Sequence, residues 1–399
     1  MGVARRFSRS NLVTILLLGH RRGSRWLIAG LILCFAPFAF ASDSPAAPSP
    51  KTQRGFSYRH DEIPAMPWSI HVVKVERFNP HFEFYAALGQ ATGLGLSTLS
   101  EQIKALPADF GHPVAAINGD FWNEGSPYEG DPLGLQVSDG ELVSGPGERA
   151  CFWLDPAGNP HMTNVLSRFA VTWPNGEVIP FGLNERLTNN GSVLYTSRIG
   201  PTTRTGKGLD LVLEQGSPEG PWLPLRLEQT FQARVRQVRE SGDAPLSRET
   251  MVLALSAPVA AHLPKIGAGQ LLTISTATTP ELSGVKMALG GGPALVRNGV
   301  AMLWKTPPPR HPRSGIGWND QYLFLVEVDG RQAGLSVGMS LPELADYFLK
   351  LGCTEAMNLD GGGSSTLWIL GQVMNSPCYG HERSMANSLI LLRKDKAQD

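Results

Sequence analysis

Two short stretches of this chain end an apolar run on Asn-x-Asp. One is Ile117-Asn118-Gly119-Asp120-Phe121-Trp122. The other is Met357-Asn358-Leu359-Asp360, followed at once by Gly361-Gly362-Gly363-Ser364-Ser365. Carboxylates at the ends of buried strands are well placed to act on a ligand, because ligands often lie there. Consecutive glycines after Asp360 carry a backbone-entropy cost that a plain turn does not require. Their N–H groups, unshielded by any Cβ, form an expected nest for an anion or a sugar oxygen. No lysine follows the glycines, and the next segment reads as a strand, so a phosphate-binding P-loop is disfavoured. Gly-Gly-Ser-Ser-Thr does not supply the Gly-x-Ser-x-Gly of a serine-hydrolase elbow. A tight strand-to-strand corner is the competing structural reading of the glycines.

A third group is His311-Pro312-Arg313-Ser314-Gly315. Arg313 stands among small residues before a strand, and its planar fork of donors suits phosphate. A fourth is His381-Glu382-Arg383, just before a final apolar strand; it reads either as a surface pair or as part of the same cleft. Asp120 and Asp360 are the candidate catalytic carboxylates, with Glu382 as a further candidate. Asn118, Asn358, Arg313, Arg383 and Gly361 to Ser365 are the candidate binding groups. No C-x-x-C motif is present and no metal-ligand spacing demands a cation, so no cofactor is expected; a divalent ion such as calcium would suit an Asp-rich cleft.

The elements that position these groups read mostly as strands. Ser69–Phe78 alternates with period two, and Phe82–Leu88 is expected as its hairpin partner. Val114–Ile117 and Tyr322–Val328 read as buried strands. Thr98–Leu106 and Leu341–Leu351 read as helices, the second stopped by Gly352. Residues 160–280 form a strand-rich middle section. A hairpin pattern recurs at Leu135–Val143, Ala294–Met302 and Thr366–Met374, the last with its turn at Gly371-Gln372. Each follows a Gly/Pro-rich approach, which predicts three related hairpins about one centre. The expected fold is α+β, a strand-rich mixed-sheet core with a few flanking helices.

The chain has 399 residues, 42% hydrophobic and 18% charged, with 35 Lys plus Arg balancing 35 Asp plus Glu. This describes a globular protein with no surplus charge for nucleic acid. Residues 1–41 read as an export signal, with Arg21, Arg22 and Arg25 before the apolar run Trp26–Ala41 and an Ala39-Phe40-Ala41 cleavage site. Contact with a membrane is expected only through that segment. Residues 42–54 read as a Pro/Ala/Ser linker and 55–399 as the functional domain. Export places the chain in the periplasm or outside the cell. Cys151, Cys353 and Cys378 would remain, with Cys353–Cys378 as one reading and three free thiols as the other.

Together the motifs resemble the phosphodiester glycosidase family. The resemblance rests on N-G-D-F-W at 118–122, L-G-G-G-P-A-L-V-R-N-G at 289–299 and P-R-S-G-I-G at 312–317. It also rests on V-D-G-R-Q-A-G-L-S-V-G-M-S-L-P-E-L-A at 328–345, N-L-D-G-G-G-S-S-T at 358–366 and E-R-S-M-A-N-S-L at 382–389. Ser314 stands where Thr is usual, and Cys378-Tyr379-Gly380-His381 is individual to this chain. The resemblance implies hydrolysis of a sugar-1-phosphodiester, such as an N-acetylglucosamine-1-phosphate linkage in an envelope polymer or exopolysaccharide. The alternative is a non-catalytic glycan-binding module, which would keep Arg313 and the glycines but need no carboxylate pair.

Overall fold

The structure is a computed structural model that describes residues 55–394, apart from Thr92, Ser126, Lys207 and Pro307. The signal and linker readings at 1–54 lie outside the described residues. Strands dominate, arranged in sheets of seven, eight, five and five strands, and three α-helices occur among the described residues. The strand-rich expectation therefore holds. No helix among the described residues is long and apolar enough to cross a membrane.

Two sheets position the candidate residues. In the seven-stranded sheet, Trp68–Glu76, Tyr322–Val328, Arg313–Trp318 and Glu355–Asn358 lie side by side, all antiparallel. Its strands are covered on both faces. Ile70, Val72, Phe324 and Val326 pack under helix Leu341–Lys350, while Val73, Val75, Leu323 and Leu325 join the second core beneath. That helix starts with a full capping box between Ser340 and Glu343 and stops before Gly352 at φ +81°.

A five-stranded sheet holds His112–Asn118 between Leu367–Ile369 and Asn387–Arg393. Phe82–Leu88 pairs with Asn387–Arg393 here. It is not the hairpin partner of Trp68–Glu76, whose neighbours are Phe56–Ile63 and Tyr322–Val328. Period-two alternation shows that a segment is a strand but does not choose its partner. Helix Leu99–Lys104, with Thr98 and Glu101 in a second capping box, packs on this sheet.

The middle section is an eight-stranded sheet running from Leu166 to Thr279, as its composition predicts, with its own large core. It also contains the short helix Ala257–His262, which the sequence reading did not separate. The three recurrent hairpins form, with left-handed turn residues at Asp139-Gly140, Asn298-Gly299 and Leu370-Gly371. The third turn therefore falls one residue before the expected Gly371-Gln372. Each hairpin belongs to a different sheet, yet their approach loops meet around one pair of carboxylates.

Candidate active site

The two Asn-x-Asp strand ends are tied to each other directly. The Asp360 N–H donates to the Gly119 carbonyl at 2.9 Å, and the Asn118 amide donates to the Asp360 carbonyl at 2.7 Å. The Asn118 side-chain oxygen accepts from the Ser314 hydroxyl at 2.6 Å and from the Thr366 N–H at 3.2 Å. Gly362 N–H donates to the Pro312 carbonyl at 2.9 Å. Three segments far apart in sequence, at 118–120, 312–314 and 358–366, thus form one unit. Asn118 serves as its joint, bonded to protein partners through both its amide nitrogen and its amide oxygen. Asn358 braces the same junction, donating to the Gly292 and Leu359 carbonyls.

Asp120 is buried behind this junction. Its Oδ1 accepts from the Phe121 N–H at 2.8 Å, while its Oδ2 has no hydrogen-bond partner. Gly134 and Gly290, from the approach loops of the first two hairpins, make the space for that oxygen. A Cβ at Gly290 would lie 2.1 Å from it and one at Gly134 2.9 Å. The third approach loop carries Asp360, so the recurrent hairpins surround one pair of carboxylates. Burial pushes the Asp120 carboxyl up to about 7, against the Phe121 and Gly134 amides and Arg149, with a further push from Asp360. Asp131 lies buried nearby, accepting from the Asn123 amide at 3.0 Å. Burial pushes it up to about 8, helped by Glu185 and Asp120. Asp131 was not picked from the sequence as a site residue, because Asp-Pro reads first as a turn.

Asp360 is half-buried and its Oδ1 accepts from the Gly361 N–H at 2.8 Å. Burial raises its carboxyl above the usual range, opposed by Ser364, the Gly361 amide and Arg383. Arg383 reaches Ser364 Oγ at 3.4 Å and Glu124 at 2.8 Å, and its guanidinium lies 4.6 Å from the Trp122 ring centre. Trp122 is largely buried core with one face under Arg383, which makes it a platform for an arginine. Glu382 points the other way. Its Oε1 accepts from the Ser100 N–H at 3.0 Å in the first turn of helix Leu99–Lys104.

The three glycines meet three different neighbours. A Cβ at Gly361 would lie 2.8 Å from the Pro312 carbonyl; Gly362, at φ +65°, lies under the Arg331 guanidinium; and Gly363 lies under the Tyr379 ring. Their loop is not an open nest. The N–H groups of Gly361, Gly362, Ser364 and Ser365 are all satisfied within the protein. The expectation that these amides together would hold an anion is therefore narrowed: the loop closes into a 3-10 turn at Gly362–Ser364 with four of its N–H groups taken, and the Gly363 N–H is the one left without a partner among the described residues. Positive charge comes from side chains instead. Arg313 is half-buried, with Nε on the Met339 carbonyl and one Nη on the Pro309 carbonyl, both at 3.0 Å. Burial and Arg331 lower it to about 10, against Asp360, so it stays protonated. Arg331, exposed over Gly362 and 3.2 Å from His311 Nδ1, is a group that sequence reasoning missed. Its backbone turns at φ +59° just after Asp329-Gly330, and its one signal in the sequence was its place in the motif that begins at Val328.

The three cysteines among the described residues form no disulfide. Cys353 is buried against the core under Phe348, and Cys378 lies 3.7 Å from the Gly362 carbonyl. Of the two readings, free thiols hold.

A strand-rich scaffold thus brings two carboxylates and a set of arginines to one junction. Residues 236–392 match the family model described as phosphodiester glycosidase. The matched stretch contains Arg313, Asp360, Glu382 and Arg383; Asn118 and Asp120 precede it. A curated relative, the SPbeta prophage-derived uncharacterized protein YomE of Bacillus subtilis (strain 168), is 35% identical over 104 residues, 26% of this chain and 16% of its own length. Among solved structures, a hypothetical protein from Synechocystis superposes with a TM-score of 0.69 at 21% identity, covering 88% of this chain and 64% of its own. A Burkholderia pseudomallei K96243 protein whose name describes it as exported gives 0.62 at 22% identity, covering 82% and 74%. These two likenesses concern the fold.

Proposed function

We propose that this chain is an exported glycosidase that hydrolyses a sugar-1-phosphodiester. The observation that carries the reading is the junction itself. A half-exposed carboxylate, Asp360, stands beside Arg313 and Arg383, with the buried Asp120 behind it. Cleavage of such a bond breaks C1–O. The electron pair leaves with the phosphate monoester, and water supplies hydroxyl to C1 while its proton passes to a base. Phosphate is a good leaving group, so little acid assistance is needed. The demands are an anion site, stabilisation of an oxocarbenium-like centre and a carboxylate at C1.

In this reading Asp360 faces the sugar, as base or nucleophile. Asp120 receives or returns the proton through its unpartnered Oδ2, which its pKa near 7 suits. Arg383 and Arg331, with Arg313 behind them, hold the phosphate. Glu382 anchors helix Leu99–Lys104 and keeps Arg383 aimed at the site. The family match and the carboxylate–arginine junction support this reading over the glycan-binding alternative, for which the buried Asp120 would be an unrewarded cost.

The test is hydrolysis of the methyl diester of N-acetylglucosamine-1-phosphate in ¹⁸O-water by the purified chain. The expected products are free sugar and methyl phosphate in equal amounts, with the label on the sugar. Label in the phosphate would mean attack at phosphorus and would overturn the proposal. Absence of turnover across a panel of sugar and aryl phosphodiesters, with ligand still bound, would favour the binding module.

A further inference from the structure

Away from the carboxylate pair, the seven-stranded sheet holds a buried polar group that the proposed reaction does not use. Along Trp68–Glu76 the face that carries Val73 and Val75 ends in His71 and Ser69. Along Tyr322–Val328 the face that carries Leu323 and Leu325 ends in Glu327. The strand register places His71 directly opposite Glu327, and antiparallel partners on one face bring their side chains together. Asp329 follows on the same side, with its N–H on the Ser69 carbonyl at 3.0 Å. One ligand atom from each of His71, Glu327 and Asp329 lies within 4.8 Å of the others, and all three residues are buried.

The hydrogen bonds of the three residues are unequal. Asp329 is oriented at both oxygens: Oδ2 accepts from Ser69 Oγ at 2.7 Å, and Oδ1 accepts from the Ser376 N–H at 2.7 Å. The His71 ring has Nε2 3.3 Å from Asp329 Oδ2 and Nδ1 2.8 Å from the Tyr58 hydroxyl. His60 stacks on its face at 4.2 Å. Glu327 has nothing comparable. It is 0% exposed, and neither carboxylate oxygen has a hydrogen-bond partner.

A buried carboxylate in that state is costly, and protonation alone does not satisfy it, because the acid O–H also needs an acceptor. A divalent cation would supply what is missing. It would give Glu327 an oxygen-directed partner and offset the two neighbouring carboxylates. It would take His71 at Nε2 while Nδ1–H donates to Tyr58, the outer-shell arrangement that orients ligating histidines.

We propose that His71, Glu327 and Asp329 form a buried structural site for a first-row transition-metal dication of the zinc type. One imidazole nitrogen with two carboxylate oxygens favours such an ion over magnesium, which prefers all-oxygen shells. The site sits one strand from the junction of Asp120 with Asp360. Glu327 is also in register with Ser314, whose hydroxyl holds Asn118. The ion would brace the sheet that presents Arg313 and Asp360. Because the ligands are buried, loading accompanies folding.

The experiment measures metal, not turnover, so it stands whether or not the glycosidase reading does. The full chain is unfolded, refolded with ZnCl2, dialysed, and its zinc content measured by mass spectrometry beside Glu327→Gln. We expect about one equivalent in the parent and at least a tenfold loss in the variant. Because the variant alone could fold poorly, the parent is also refolded with Co²⁺. A visible d–d absorption band, abolished by competing Zn²⁺, is the expected signature. Zinc retention equal in parent and Glu327→Gln would overturn the proposal. So would a parent that folds to the same melting temperature with zinc or with EDTA and retains neither ion; Glu327 would then be a buried neutral acid.

Discussion

The main-chain N–H of Asp360 donates to the carbonyl of Gly119 at 2.9 Å, so two carboxylates 240 positions apart in sequence leave their strands as hydrogen-bonded neighbours. This bond fixes Asp360 relative to Asp120 through backbone, independently of either side chain. Substitutions of the carboxyl groups should therefore alter chemistry before they alter structure.

Asp360→Asn keeps the shape of the side chain and the acceptor for the Gly361 N–H. We expect turnover of a sugar-1-phosphodiester to fall by about 10²–10⁴-fold, with substrate affinity nearly unchanged. Steady-state kinetics together with calorimetric binding to the variant decide this. Unaltered kinetics would remove Asp360 from the reaction.

The buried carboxyls set a pH dependence of stability. Asp120 and Asp131 have folded values of about 7 and about 8, above the unfolded value near 3.9. Each folded group holds its proton more tightly than the unfolded one, so its favourable contribution is complete below about pH 4. It is lost as pH rises, up to about 7 for Asp120 and about 8 for Asp131. The slope is about 1.4 kcal/mol per pH unit for each titrating group. Asp120→Asn should flatten the fall in unfolding free energy over that window, as read from urea titrations at several pH values. A parallel pH profile in the variant would show that Asp120 is ionised throughout.

Arg383 contacts Ser364, Glu124 and the Trp122 ring, and it is half-exposed. Arg383→Ala should raise KM for a phosphodiester substrate roughly 10–100-fold, as expected for losing about 1.5–3 kcal/mol of charged hydrogen bonding. The melting temperature should move little. The adjacent Glu382→Ala should behave in the opposite sense. Turnover stays within a factor of a few, and stability drops by about 0.5–2 kcal/mol, because the variant removes the oxygen that satisfies the Ser100 N–H at a helix start. A large loss of turnover in Glu382→Gln, which keeps that acceptor, would return it to the catalytic group.

Gly290 makes room for Asp120 Oδ2, since a methyl group at this position would stand 2.1 Å from that oxygen. Gly290→Ala should cost about 1–3 kcal/mol through overpacking and should reduce turnover by displacing that carboxylate. Gly299→Ala, at a hairpin turn where a Cβ meets nothing within 4 Å but φ is +73°, controls for backbone strain alone. Thermal melts and activity of the two variants separate the effects.

The sequence by itself determined the strand-rich character, both capped helices and the residue types that gather at the junction. Those signals are local: alternation along Tyr322–Val328, Ser340 and Glu343 at a helix start, glycines after Asp360. The tertiary structure alone decided pairing and direction. Phe82–Leu88 found its partner at Asn387–Arg393 because register depends on which face is buried, which no single strand encodes. The Gly361 and Gly362 amides turned inward because Asp360 itself and Pro312 supply acceptors. Glu382 and Arg383 part company because each finds its own partner across the fold, the Ser100 N–H at a helix start for Glu382 and Ser364 with Glu124 for Arg383. Asp131 and the His71–Glu327–Asp329 group were not singled out by the sequence, and Arg331 showed only as one residue of a longer motif. Their meaning lies in burial and in what they meet across strands, and desolvation is a property of the folded interior, not of spacing along a chain.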